Sequence, residues 1–287
     1  MRNQSVVLVA EEARSGTRPD PWTARPEPRI RVAARAEPPP LDRGTVRAAY
    51  CLEPPVAPIR LSTLWEALRA GRATPCDAWH DATRSYVVVH TVGDAVRTAL
   101  YSSEAVVITR VLCGHQQKAI ASDLGLAHST ISKLRASALA KLHLAAEPMP
   151  LPYVLAVQAA ATGVEIPTAT QGAFEHHGSS YLAVSVPLPR VRKGCGLSPS
   201  EQEVALYLIE GCSRTEIARR RSTSPQTVLT QLAATYAKLG LSGRNGAIAR
   251  AAALGWFSWL DDASDLGARN DQSTRSHASN PLQRPDR

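Results

Sequence analysis

Between about residue 60 and residue 256 the apolar positions recur with strand or helix spacing; outside those limits they follow neither period. Leu61–Ala70, with Leu64 and Trp65, reads as an amphipathic helix available for core packing or a dimer face. Two short ribbons lie further along. The first is Asp77–His80 and Tyr86–Thr91 around a turn at Asp81–Arg84. The second is Gly172–His176 and Tyr181–Pro187 around His177, Gly178 and Ser179. In it Tyr181, Ala183 and Ser185 alternate with Leu182, Val184 and Val186, as in a half-buried strand.

Helical spacing follows each ribbon. From residue 197, Ser198 caps a helix with Glu201 three residues on, as in a capping box, and Gly211 ends it. Val204, Leu208 and Ile209 supply its apolar stripe. A short second helix starts after Ser213 and runs to Arg221, with Ile217 and Ala218 facing inward. Ser224-Pro225 is a sharp start signal for a third helix, Gln226 to Leu239, closed by Gly240. Its inner face carries Val228, Leu232, Tyr236 and Leu239. An Ala-rich fourth helix, Asn245 to Leu254, ends at Gly255.

The pattern repeats. Gly114 laid over Gly211, an offset of 97, aligns Glu104 with Glu201, Val107 with Val204 and Ile120-Ala121 with Ile217-Ala218 without a gap. Thr130 then meets Thr227, and Ala140-Lys141-Leu142 meets Ala237-Lys238-Leu239. The ribbons agree at an offset of 95, which sets Trp79 on Phe174 and Tyr86 on Tyr181. Leu151–Thr162 would be the first block's fourth helix, after a Pro-containing insertion at Glu147–Pro150.

Two short helices joined by a tight turn, the second opening with small polar side chains, suit the DNA major groove. One helix fits there, and its first turn must reach base edges without bulk. Residues 197–256 resemble the LuxR/GerE-type helix-turn-helix domain of bacterial transcription regulators. The resemblance rests on Leu197-Ser198, Glu201, Glu203-Val204, Gly211-Cys212-Ser213, Glu216-Ile217-Ala218, Ser224-Pro225, Thr227-Val228 and Lys238-Leu239-Gly240. Residues 100–144 look like a weaker copy, through Glu104, Gly114, Lys118, Ile120-Ala121, Leu124-Gly125-Leu126, Ser129-Thr130-Ile131 and Lys141-Leu142.

The resemblance implies a four-helix fold whose third helix enters the groove. It marks Gln226, Leu229, Thr230 and Ala233 as base-facing in the second copy and Ser129, Ser132, Lys133 and Ala136 in the first. Thr130, Thr227 and Gln231 belong to the same helical surface. Lys141 and Lys238 fall where the family places a phosphate-contacting lysine, and Lys118, Arg135, Arg214 and Arg219 add positive charge. Arg221 stands where the family buries a leucine, which would loosen the joint between the second and third helices. Arg135 also takes a usually apolar place. The family often dimerises through its last helix, and Ala247, Ala251, Ala252 and Ala253 would permit that.

Composition narrows the classes. The 287 residues carry 33 Lys+Arg against 25 Asp+Glu, a net charge of +8, so an acidic polymer is a plausible partner. Residues 1–58, with Arg25-Pro26-Glu27-Pro28-Arg29 and Glu37-Pro38-Pro39-Pro40, and residues 260–287 read as disordered. No apolar run is long enough for a membrane span, and no signal peptide is evident, so a soluble cytoplasmic protein is expected. Five scattered cysteines contain no C-x-x-C pair. His176-His177 reads as a ribbon turn and Gly194-Cys195-Gly196 as a hinge. Neither a catalytic constellation nor a metal or cofactor site is expected.

The expected fold is mainly α with small β-ribbons: tandem four-helix LuxR-like helix-turn-helix domains between disordered termini. The expected divisions are an arm at 1–58, a first helix–ribbon–reader repeat at 59–163 (core 100–144), a ribbon and linker at 164–196, the LuxR-type domain at 197–259, and a tail at 260–287. The expected function is a non-enzymatic, DNA-binding transcription regulator acting on double-stranded DNA, with RNA polymerase as a candidate partner. Two other readings stay open: a sigma-factor-like promoter reader, and a protein-interaction module built from degenerate helix-turn-helix domains.

Overall fold

The two ribbons do not stay apart. In a computed structural model of the chain, their second strands pair with each other and build one antiparallel sheet. The structure describes residues 57–91, 99–144, 148–176, 178–191 and 195–258, all within the compact unit Pro39–Arg287. Among the described residues the strands are β1 (Ala57–Pro58), β2 (Ala73–His80), β3 (Arg84–Thr91), β4 (Thr170–His176) and β5 (Ser179–Pro187), in the sheet order β1-β4-β5-β3-β2. The helices are α1 (Leu61–Arg69), α2 (Ser102–Leu112), α3 (Gln117–Leu124), α4 (His128–Lys141), α5 (Leu151–Thr162), α6 (Pro199–Glu210), α7 (Arg214–Arg220), α8 (Pro225–Leu239) and α9 (Arg244–Ala253).

The sheet corrects the expectation of separate ribbons. Its physical reason is burial. A two-stranded ribbon alone is marginal in water, and β3 and β5 carry Val87, Val89, Val184 and Val186 on one face. Pairing covers all four completely. β5 is therefore not half-buried: Ala183, Ser185, Val184 and Val186 are all at 0% exposure, because the strand is central and covered on both faces. Ala57 and Pro58, within the stretch read as an arm, pair with Gln171 and Thr170 of β4. The remaining arm and the tail, residues 1–56 and 259–287, lie outside the described residues.

Helix α5 explains itself by composition. Leu151 to Ala159 is apolar all round apart from Gln158, and all nine residues are buried, as a helix with no polar face must be. It packs against α1, α2, α9 and the β3–β5 face of the sheet. Gln158 is buried only because its amide donates to Leu112 O and Asn245 O, both at 2.9 Å. Helix α1 contributes Leu61, Leu64, Trp65 and Leu68 to the same core. The Glu165 carboxylate accepts from the backbone of Leu61 and Ser62 at 2.7 and 3.2 Å, a negative group at the positive end of α1. On the opposite sheet face Val88, Phe174, Tyr181 and Ala183 form a smaller cluster. Asp81 closes the β2–β3 turn, accepting from the backbone of Thr83 and Arg84 and from the Tyr86 hydroxyl.

Gly114 follows α2 with φ +91°, and a Cβ there would stand 2.7 Å from Gly246 N and 2.8 Å from its Cα. Gly211 follows α6 with φ +98°, but its Cβ would meet the Pro148 ring at 3.2 Å. Backbone cannot yield as a ring can. Gly114→Ala is therefore expected to lose about 3 kcal/mol and Gly211→Ala about 1–2 kcal/mol. Gly125→Ala, with φ +63° and open space, should lose about 1 kcal/mol. Urea unfolding of the three variants checks the order.

Candidate nucleic-acid interface

The helix starts of the second block are locally determined. The Ser198 hydroxyl accepts from Glu201 N at 3.4 Å while Glu201 returns to Ser198 N at 2.7 Å, a reciprocal capping box. Ser213 caps α7 through Glu216 N at 3.2 Å, and Ser224 caps α8 through Thr227 N at 3.0 Å. Between the helices lies a small core of Val204, Ile217, Ala218, Val228 and Leu232. Holding α7 and α8 together on these residues leaves the outer surface of α8 without packing partners. Gln226, Thr227, Leu229, Thr230 and Ala233 are exposed there, Leu229 at 39%.

The first block has the corresponding core. Val107, Ile120, Ala121 and Ile131 pack together, each 97 positions before Val204, Ile217, Ala218 and Val228. Ser129, Ser132, Lys133 and Ala136 are exposed on α4; Thr130 is half-buried. The Ser132 hydroxyl donates to Gln117 Oε1 at 3.0 Å, tying α4 to the start of α3. Lys118, Arg214 and Arg219 are exposed on α3 and α7. Arg135 is half-buried and lines the cleft between α2 and the loop before α9, away from the outer surface of α4.

The two lysines expected at phosphate are engaged in the fold. Lys141 Nζ lies 2.7 Å from the buried Glu104 carboxylate, which also accepts from Ser137 Oγ at 2.6 Å and Tyr101 N at 2.9 Å. Burial alone would raise the Glu104 pKa, but the Lys141 ammonium and the other two donors outweigh it and hold the carboxyl below its ordinary value. Lys238 Nζ lies 2.7 Å from Glu201, whose pKa is lowered first by that ammonium and then by Ser198 N. Each pair joins the first helix of its block to the end of the third.

Arg221 does not loosen its joint. Its guanidinium donates to Glu203 on α6 at 2.8 Å and to the Gln231 amide oxygen on α8, and its side chain is only 9% exposed. Gln231 thereby faces the joint and is turned from the outer surface. In the first block the matching positions are Leu124 and Leu134, both packed on the apolar cluster. A polar pair has replaced an apolar pair. Nothing in the single positions signals this; only the two substitutions read together do. Burial pushes the Cys113 and Cys212 thiols up, away from the thiolate that redox switching needs. Among the described residues no group of three or more His, Cys, Asp or Glu could hold a metal.

Lys141→Met should leave the Glu104 charge buried without its counter-ion and lose about 3 kcal/mol, and adding Glu104→Gln should recover most of it. Because both carboxyls sit below their ordinary value of 4.5, their contribution is complete above that pH and is lost below it, as the pH falls through their lowered folded-state values, which an acid-unfolding titration reads directly. A double-mutant cycle on Arg221→Leu and Gln231→Leu should show a coupling of about 1–2 kcal/mol, the double variant being more stable than the single changes predict.

Comparison with known proteins agrees with the second block's geometry. The family described as bacterial regulatory proteins, luxR family, matches residues 196–251. Proteins of Mycobacterium bovis and Mycobacterium tuberculosis, whose names describe them as HTH-type transcriptional regulators, are 46% identical over 56 residues. Those residues make up 19% of this chain and 6% of each relative. No solved structure matches the chain. Residues 196–251 are a helix-turn-helix domain of the GerE/LuxR family.

Proposed function

We propose that this protein is a DNA-binding transcription regulator with two readers in one chain, the LuxR-type domain of α6–α9 and a second helix-turn-helix unit formed by α2–α5. The observation that carries the reading is the pair of third helices. Each is anchored by an equivalent apolar core, and each turns short polar side chains outward at its start. Support for the second reader comes from the repeated core and from the repeated Glu–Lys pair, Glu104–Lys141 and Glu201–Lys238.

In this mechanism Lys118, Arg214 and Arg219 anchor phosphates and set orientation, a contribution without sequence information. Ser129, Ser132 and Lys133 on one helix, and Gln226, Thr227, Leu229 and Thr230 on the other, meet base edges. Leu229 suits an apolar contact such as a thymine methyl. Lys141 and Lys238 act indirectly, by holding the ends of α4 and α8 in place. The reading is of a binding protein working where chromosomal DNA is, in the cytoplasm. Among the described residues no helix is long and apolar enough to cross a membrane.

Selection of bound duplexes from random DNA, at two salt concentrations, tests it. A two-part motif is expected, with Lys133→Ala weakening one half and Thr230→Ala blurring the other. Affinity should fall steeply with salt, and Lys118→Ala should reduce the log–log slope by about 1. Recovery of a single motif, indifferent to Lys133→Ala, would make the first block structural. No enrichment at either salt would favour a protein-interaction module.

A further inference from the structure

The two blocks are not beads on a tether. β3 and β5 are antiparallel, and Val88 pairs with Ala183. Those two residues are also equivalent in the repeat of the ribbons, at the offset of 95. An antiparallel pair that meets at equivalent residues has a local two-fold axis between them. The side chains respect it. Trp79 stacks on Tyr86 with ring centroids 5.1 Å apart, and Phe174 stacks on Tyr181 at 5.4 Å, one pair on each side of Val88–Ala183.

The helices repeat the relation. The end of α2, at Gly114, abuts Asn245 and Gly246 in the first turn of α9; the end of α6, at Gly211, abuts Pro148 just before α5. Pro148 and Asn245 occupy the same place in the 97-residue repeat. Each block thus seats the start of the other's fourth helix, and α5 and α9 touch. Hydrogen bonds fasten the joint. Ser242 Oγ donates to Gly114 O at 3.0 Å, Asn245 Nδ2 to Val111 O at 3.1 Å, and Arg244 to Met149 O at 2.8 Å. Leu112 and Leu139 from the first block share one core with Ile209 and Ile248 from the second and with the valines of the sheet.

We infer that one chain is an internal pseudo-dimer, which binds a single duplex as two inverted half-sites at one spacing without a second copy. This rests on the reading that both α4 and α8 contact DNA. A two-fold protein maps onto the dyad of a duplex, so half-sites read by helices related by that axis run in opposite directions. The halves differ in sequence, because Ser129, Ser132 and Lys133 face one and Gln226, Leu229 and Thr230 the other. A flexible tether would tolerate altered spacing with a gradual loss. A joint built on buried residues does not stretch. The second chain is unnecessary for a further reason: Ala247, Ile248 and Ala251, on the last helix, are at most 3% exposed within this chain. Half of the alanine face that its sequence offers to a homodimer is thereby closed, while Ala252 is half-buried and Ala253 exposed.

The test uses the full chain and the duplex recovered by selection from a random library. Hydroxyl-radical protection should be mirrored on the two strands about the site centre, and sedimentation should give one chain per duplex. Inserting 5 or 10 base pairs between the halves should each lower affinity at least about 30-fold, while binding to unrelated duplex is unchanged. The same protection pattern repeated along one strand, two chains per duplex, or a loss under about threefold on insertion would overturn the internal pseudo-dimer and leave the two-reader function standing. Failure to bind any duplex at low salt would overturn both.

Discussion

The pairing of β3 with β5 is the constraint on which the rest of the molecule depends. It closes the apolar faces of two ribbons that could not be stable alone, and it makes a single floor of Val87, Val89, Val184 and Val186. Only a helix apolar on all sides fits beneath such a floor and still meets further helices. Helix α5 has that composition, and α1, α2 and α9 then pack around it. The chain between β3 and β4 is therefore not an insertion hung on the sheet. Its last helix is the sheet's second layer.

The small cores inside the helical blocks have a different task. Four or five residues such as Val204, Ile217, Ala218, Val228 and Leu232 bury too little to hold a domain by themselves. Each block leans on the shared core through its first and last helices, and on one Glu–Lys pair that locks the first helix to the end of the third. The benefit is an outer helix face that carries no packing duty. Apart from Ser132, which is tied to Gln117, side chains on those faces of α4 and α8 carry little of the fold, as the proposed reading of DNA requires.

Much of the helical architecture was legible because its signals are local. Ser198 with Glu201, Ser213, Ser224-Pro225, and the glycines at 114, 211 and 240 each act within a few residues, and the helix ends fall at or within one residue of the positions they imply. The outward residues of α4 and α8 were named from the family resemblance, which set Gln231 on that surface although it faces the joint. Other side chains could not be placed this way. Lys141 and Lys238 look like free cations in sequence, and their carboxylate partners are 37 positions away. Arg221 looks like a defect until Gln231 and Glu203 are brought beside it.

By itself, then, the sequence determined where most helices stop, which family the second block resembles, and most of the segments that are helix or strand, though not β1 or the start of β2. Those properties follow from backbone conformation and short-range hydrogen bonding. Tertiary structure alone decided that two ribbons form one sheet, that α5 and α9 are spent on an internal joint, and that four charged or polar side chains serve packing. Alternation with a period of two tells a strand which face is apolar, but not which edge it will meet. That choice is made by the largest apolar area the whole chain can close at once.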